Sequence, residues 1–334
     1  MLYSKSIMTL LRKAKVKKEQ IGVVLMTYGS PTTLDDIPVY LKHVYGGREA
    51  NQKVIAEFQR RYDLIGGSPL LRITHEQATA LEKELIAQHP NGPSYQVVVG
   101  MRFAPPFIAD AIPVLANTAN KLVGVIMSPQ YSSIIMSGYV NALEESVENF
   151  KRNDLEVYIT KSWNLEPYFL QALAERVQQA LDRFPPEISA RVPVLFTAHS
   201  MPRRVSKNEP NYINALKETA SLVAKLVSLS KKRWMFCYQS AGHTREEWLK
   251  PDFADIMPKL QAAGHTHVLI VPIQFLADHL EILYDIDIGA RNQTEACGIR
   301  FARIESLNTS PLFIKALAKV VKKTISNPNN KLTS

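Results

Sequence analysis

Residues 192–202 read VPVLFTAHSMP, a short apolar run rich in β-branched side chains that ends in polar residues and a proline. A run of this kind bounded by turn chemistry is a strand, Val192 to Thr197, with His199 at its carboxyl end. The same grammar recurs outward in both directions. Upstream it predicts strands at Ile21 to Tyr28, Tyr95 to Met101, Leu122 to Met127 and Leu155 to Ile159; downstream, at Trp234 to Tyr238, His267 to Pro272 and Arg300 to Ile304. Between them lie amphipathic stretches, Thr74 to Gln88, Val140 to Arg152, Pro167 to Arg183, Tyr212 to Leu229 and Pro311 to Lys323, with helical spacing of their apolar residues. Strands alternating with helices predict an α/β fold with two Rossmann-like domains built on parallel sheets. Their ligand site is expected in the interdomain cleft, at the carboxyl ends of the strands.

The expected organisation is a basic leader over residues 1–20, a first domain over 21–163, a second over 164–308, a C-terminal helix over 309–324 and a disordered tail over 325–334. The first domain carries an unusually long connection, residues 29–94, read as a lid or binding insertion. With 334 residues and 46% hydrophobic side chains, the chain can bury a sizeable core. The net charge of +9 is misleading, because residues 1–18 and 315–334 hold eleven of the 40 basic groups and no acid, leaving 29 basic against 31 acidic groups in the body. The body is therefore not basic, and no nucleic-acid partner is expected. The leader, MLYSKSIMTLLRKAKVKK, reads as a solvated segment able to make a weak contact with an anionic membrane surface. No apolar run approaches the roughly 20 residues of a membrane span. Two cysteines, Cys237 and Cys297, are too few for a disulfide scaffold, a four-thiolate zinc site or an iron–sulfur cluster. A monomer in the reducing cytoplasm, with no permanently bound cofactor, is the expectation.

The strand ends hold the candidate chemistry. Tyr28 stands in MTYGSP, where Gly29 and Pro31 shape the turn, and SPQYSS places Tyr131 and Ser132 after the third strand. His199 sits at the lip of the second domain, where a neutral imidazole can bind a metal or take a proton. Ser200 beside it lacks the GxSxG setting of a hydrolase nucleophile. The segment QFLADHLEILYDID leads from a strand into a helix, with Glu281 and Asp285 four residues apart on one face. His199 and Glu281 thus come from adjacent strand ends, and together form a mixed nitrogen and oxygen site for a loosely held divalent ion. Taken singly, a strand-end tyrosine or histidine is more often structural than catalytic, and only a partner changes that reading. His265 and His267, in GHTH, read as loop or edge histidines, whereas His243 in YQSAGHTREEW stays open as a residue bordering the cleft. No GxGxxG, Walker loop or CxxC supports nucleotide or thiol chemistry.

The motifs MTYGSP, RRYDLIGGSPL, GMRF, SPQYSS, FTAHSMP, YQS with downstream EEWLKP, and QFLADHLEILYD, in that order from about Ile21 to Val320, resemble the ferrochelatase family. The resemblance implies a porphyrin in the cleft and insertion of ferrous iron, a substrate, in haem biosynthesis. It implies His199 and Glu281 as catalytic and metal-binding residues, Asp285 as a continuation of an acidic line, and substrate contacts at Tyr28, Arg48, Ser68, Tyr131 and Ser132. Gly289 replaces a carboxylate found in some members. The tyrosine of MTYGSP and the YQSAGHTREEWLKP segment look like the coproporphyrin III enzymes of bacteria, although HVYGGRE keeps only Arg48 where some of those enzymes place paired arginines. Protoporphyrin IX as substrate, a chelatase for cobalt or nickel, and a non-catalytic porphyrin-binding protein are the alternatives.

Overall fold

The computed structural model of the chain describes residues 18–152, 154–242 and 246–332. Strands β1 (Gln20–Thr27), β2 (Ser94–Met101), β3 (Lys121–Ile126) and β4 (Glu156–Ile159) form one parallel sheet in the order β2-β1-β3-β4. Strands β5 (Val194–His199), β6 (Trp234–Gln239), β7 (His267–Pro272) and β8 (Arg300–Arg303) form a second in the equivalent order β6-β5-β7-β8. All eight strands were legible, with ends shifted by two residues at most. The reason is their burial. Val23, Val24, Leu25 and Met26 of β1 are fully buried, because helices cover both faces of a parallel sheet and leave no polar alternation to blur the run.

In each sheet the chain leaves its first strand toward one neighbour and then crosses back to the other. The carboxyl ends of β1 and β3, and of β5 and β7, are therefore the points where connections diverge and a crevice opens. Tyr28 follows β1, Ser128 follows β3, His199 ends β5 and Gln274 follows β7.

Packing does not follow chain order. The helix Pro311–Ser326 comes last but packs against β3, β4 and the helix Leu70–Gln88, as well as against Pro167–Leu181. One apolar cluster accordingly holds residues of both sheets, including Val23, Leu25, Val194, Phe196 and Phe313. Trp163, at the expected boundary, is a pinned joint: its indole N–H donates to the Ile126 carbonyl at 3.1 Å and its ring packs on Phe169 and Phe313.

The long connection after β1 divides in two. Helix Leu70–Gln88 buries Ala78, Leu81 and Leu85 in the main core and is the ordinary crossover between β1 and β2. The helices Ile37–Val44 and Gln52–Leu64 gather around their own cluster of Ile37, Tyr40, Leu41, Ile55 and Tyr62, with Leu280 against it. The insertion that stands over the crevice is thus shorter than residues 29–94. The tail also departs from expectation. Asn327 caps a short turn, the Leu332 N–H donates to the Val157 carbonyl at 2.8 Å, and Lys331 pairs with Glu156, so a segment that reads as disordered extends the edge of β4. The leader expected at 1–20 falls outside the described residues as far as residue 17, as do His243 and the last two residues.

The halves are tied by a charge. Glu209, only 6% exposed, accepts from the Ser133 hydroxyl at 2.5 Å and the Ile134 N–H at 3.1 Å, at the amino end of helix Ser133–Phe150. A carboxylate there is favoured by the helix dipole and by otherwise unpaired backbone donors. Glu209→Ala is expected to lower stability by about 2 kcal/mol, the cost of leaving buried donors unpaired, read as a lower urea midpoint at unchanged slope.

Candidate functional site

A cavity of about 540 Å³ lies between the carboxyl ends of the two sheets and the lid helices. Its walls are mainly aromatic and aliphatic, with Tyr40, Leu41, Val44, Tyr45 and Phe58 from the lid, Ile134 and Ile135 from the helix after β3, and Trp248 and Leu280 from the second half. Such walls suit a large flat apolar ligand whose polar atoms meet a few placed groups.

Two of those groups come together at the second sheet. The Nε2 of His199 lies 3.6 Å from Oε2 of Glu281, and their side chains are 34% and 35% exposed, both toward the cavity. Nδ1 of His199 meets the Ser200 carbonyl, which can only accept, so Nδ1 is the donor there and Nε2 is the nitrogen turned toward Glu281. The backbone holds the ring in place. The His199 N–H donates to Gln274 Oε1 at 3.0 Å, and Gln274 Nε2 donates to the buried Tyr212 hydroxyl at 2.6 Å. Gln274 was not singled out from sequence, although a glutamine directly after an apolar strand was the available signal.

Glu281 opens a ten-residue π-helix, Glu281–Ala290. Ile282, Ile286 and Ala290 enter the core at a spacing of four, and Glu281, Asp285 and Gly289 form the neighbouring strip. Oε2 of Glu281 is a buried acceptor with no hydrogen-bond partner among the described residues. Asp285, further along, has its carboxyl pKa raised chiefly by burial, with the Glu281 charge adding to the rise and the Ser240 hydroxyl and the Arg61 guanidinium at 3.9 Å pulling the other way. Arg61 also pairs with Glu57 at 2.8 Å and lies over the Tyr284 ring, whose hydroxyl accepts from Arg60 at 2.5 Å. The lid helix Gln52–Leu64 is thereby joined to the π-helix.

On the first-sheet side, Tyr28 lines the cavity at 46% exposure, its ring 4.5 Å from that of Phe103. The turn after it needs Gly29, whose φ of +97° is disfavoured for any side chain. Surrounding protein desolvates the Tyr28 phenol and Glu281 adds a negative charge, so the hydroxyl stays protonated far above neutral pH. Ser132 lines the cavity and caps helix Ser133–Phe150 through Ile135 N–H at 3.3 Å. Ser68, Arg48 and Tyr131 are not among the lining residues. Ser68 accepts from the Leu70 N–H at 3.3 Å, Arg48 donates to the Tyr45 carbonyl at 3.3 Å, and Tyr131 is exposed beside Ser132. His267, at the amino end of β7, packs on Phe184 away from the cavity. Among the described residues, no group of three or more His, Cys, Asp or Glu side chains gathers to hold a metal, and no helix is long and apolar enough to cross a membrane.

The profile of the ferrochelatase family matches residues 20–325. The chain belongs to the ferrochelatase family. It is accordingly a lyase that inserts a metal into a porphyrin, with porphyrin and iron as its substrates. A ferrochelatase of Herpetosiphon aurantiacus is 37% identical over 302 residues, covering 90% of this chain and 97% of that protein. A coproporphyrin III ferrochelatase of Geobacillus kaustophilus is 36% identical over 309 residues, covering 92% and 96%. Among solved structures, SirB from Bacillus subtilis with Fe3+ superposes with a TM-score of 0.58 at 11% identity, over 93% of this chain and 97% of that one, a likeness of fold.

A raised carboxyl pKa makes a stability prediction for Asp285. Above the ordinary aspartate range the folded chain bears the cost of an ionised, desolvated carboxylate that the unfolded chain does not. Asp285→Asn is expected to raise the melting temperature at about pH 7, and the gain should shrink as the pH falls through the folded pKa and vanish below about 4, where both states bind the proton. Calorimetry across that range checks the sign.

Proposed function

We propose that the chain inserts ferrous iron into coproporphyrin III, giving the iron coproporphyrin, with His199 and Glu281 as the reacting residues. The carrying observation is the His199 Nε2 and Glu281 Oε2 pair, 3.6 Å apart on the wall of an apolar cavity, the carboxylate oxygen lacking any hydrogen-bond partner among the described residues. Insertion exchanges two pyrrole protons for one Fe²⁺, with no change in the electron count. The site must therefore accept two protons and hold the ion only briefly. One imidazole nitrogen and one carboxylate oxygen are a weak donor set for iron, which stands low in the affinity order, so the ion is not trapped short of product.

In this reading Nε2 of His199 takes a pyrrole proton or meets the incoming ion. Glu281 Oε2 completes the perch and passes protons toward Asp285 and the cavity mouth. Tyr28, on the opposite wall, touches the other porphyrin face through a neutral phenol. Coproporphyrin III carries four propionates, for which Ser132 on the cavity wall and Arg48, Ser68 and Tyr131 outside its lining are the proposed partners. Support for this substrate comes from Tyr28 in its MTYGSP turn and from relatives named for coproporphyrin III. We place the protein in the cytoplasm as a monomer, with any membrane-surface contact made by the leader. With two cysteines, one buried on β6, the donor count favours iron as substrate alone, without a resident cluster.

The test is anaerobic mixing of the purified protein with Fe²⁺ and either coproporphyrin III or protoporphyrin IX, following the Soret and visible bands. We expect kcat/KM for coproporphyrin III to exceed that for protoporphyrin IX by about tenfold or more, since polar groups proposed for the propionates would be left unpaired by the substrate lacking two of them. Preference for protoporphyrin IX would overturn the substrate assignment. Tight porphyrin binding with no metallation of either would overturn the enzymatic reading.

A further inference from the structure

A π-turn closes i→i+5 hydrogen bonds, and most π-helices are single-turn bulges within α-helices. Ten consecutive π residues, Glu281–Ala290, therefore need something outside the helix to hold them. One guanidinium stands where that hold is required. Arg303, at the end of β8 and only 16% exposed, donates Nε to Asp287 Oδ1 at 2.7 Å and Nη2 to Asp287 Oδ2 at 2.8 Å, a two-point fork. The same Nη2 donates to Asp278 Oδ1 at 3.2 Å, and Nη1 to the Ile304 carbonyl at 2.9 Å.

Asp287 lies within the π-helix and Asp278 three residues before Glu281. Arg303 thus grips the chain on both sides of the residue that faces His199. Asp278 is itself fixed: its carboxylate accepts from the Ser306 hydroxyl at 2.7 Å and Asn308 Nδ2 at 2.9 Å, while its N–H donates to Asn308 Oδ1 at 3.0 Å. Asn308 sits in the left-handed region, with φ of +43°, and its carbonyl accepts from Gln77 on the cavity wall at 2.9 Å. A backbone conformation that costs a non-glycine residue energy is thus held in place at the far end of the clamp.

We propose that Arg303 is a positioning residue for metal insertion: by bridging Asp278 and Asp287 it holds the π-helix in the register that sets Glu281 against His199. Arg303 touches neither cavity nor substrate and acts through Glu281 alone. The inference rests on the functional reading above for its kinetic test but not for its structural one.

The experiment compares wild type, Arg303→Met, Arg303→Lys and the double variant Asp287→Asn/Arg303→Met, each also in a Glu281→Gln background. The double variant removes the acid that Arg303→Met would leave unpaired, and so covers a failure of the single variant to fold. With Fe²⁺ and coproporphyrin III under anaerobic conditions, Arg303→Met should lower kcat by about 10- to 100-fold, as loss of an outer partner does at metal sites. Porphyrin affinity, read by fluorescence quenching, should stay within about twofold, and Arg303→Lys, which keeps the charge but loses the fork, should fall between. In the Glu281→Gln background the same substitution should cost less than about twofold more, because its target is already gone. Multiplicative losses in that background, or wild-type rates in Arg303→Met, would overturn the proposal.

Hydrogen exchange supplies a readout that needs no activity. Amides of residues 281–290 should lose protection in Arg303→Met and in the double variant, with β5 and β6 unchanged; unchanged protection there would overturn the clamp. If wild type metallates no porphyrin, the functional reading fails, while this exchange result still decides the role of Arg303 in holding the helix.

Discussion

The structure turns on a constraint at one point: an imidazole nitrogen and a carboxyl oxygen must be held 3.6 Å apart against a cavity whose walls are mostly apolar. Neither group would choose that setting for stability. An acceptor without a partner in a low-dielectric site costs free energy, and the cost persists only because the surrounding fold is over-determined. The parallel sheets provide that rigidity. His199 ends β5, whose register against β6 and β7 is fixed residue by residue, and Glu281 follows β7 by way of a segment tied down through Asn308 and Gln274.

The same constraint explains the departures from regular structure. A π-helix in place of an α-helix, a buried carboxyl at Asp285 and a left-handed asparagine at position 308 each oppose local preference. All three lie on the stretch of chain from β7 to just beyond β8. The first sheet, by contrast, supplies a wall: Tyr28, packed on Phe103, and the lid helices with their small core. The lid is connected to the π-helix through Arg60, Arg61 and Tyr284, so the roof of the cavity and its acidic strip are not independent. Burial of Glu209 at the start of helix Ser133–Phe150 and of Trp163 at the joint fixes the separation of the two walls.

Sequence alone was sufficient for the sheets because fully buried strands write themselves as uninterrupted apolar runs. It brought His199 and Glu281 to one cavity because both follow such runs, at the carboxyl ends where α/β folds place ligands. Tyr28, Ser132 and Tyr131 were found by the same rule, and of these Tyr28 and Ser132 line the cavity; Arg48 and Ser68 were offered on motif resemblance and, like Tyr131, stand outside its lining. What local patterning left hidden were tertiary facts. The C-terminal helix closes the first sheet, helix Leu70–Gln88 belongs to the core and not to the lid, and the last residues pair with β4, because each depends on a partner distant in sequence. The π-helix was hidden for a different reason: a spacing of four apolar residues is shared by α- and π-turns, and only the clamp from β8 separates them.

The account is tested most directly by separating binding from metallation at His199. Coproporphyrin III bound to His199→Ala and challenged anaerobically with excess Fe²⁺ in a single turnover should show unchanged porphyrin fluorescence quenching and a metallation rate lower by about 100-fold or more, the scale of a lost acid–base group. A rate within a few-fold of wild type would contradict the central claim that the His199 and Glu281 pair carries the reaction.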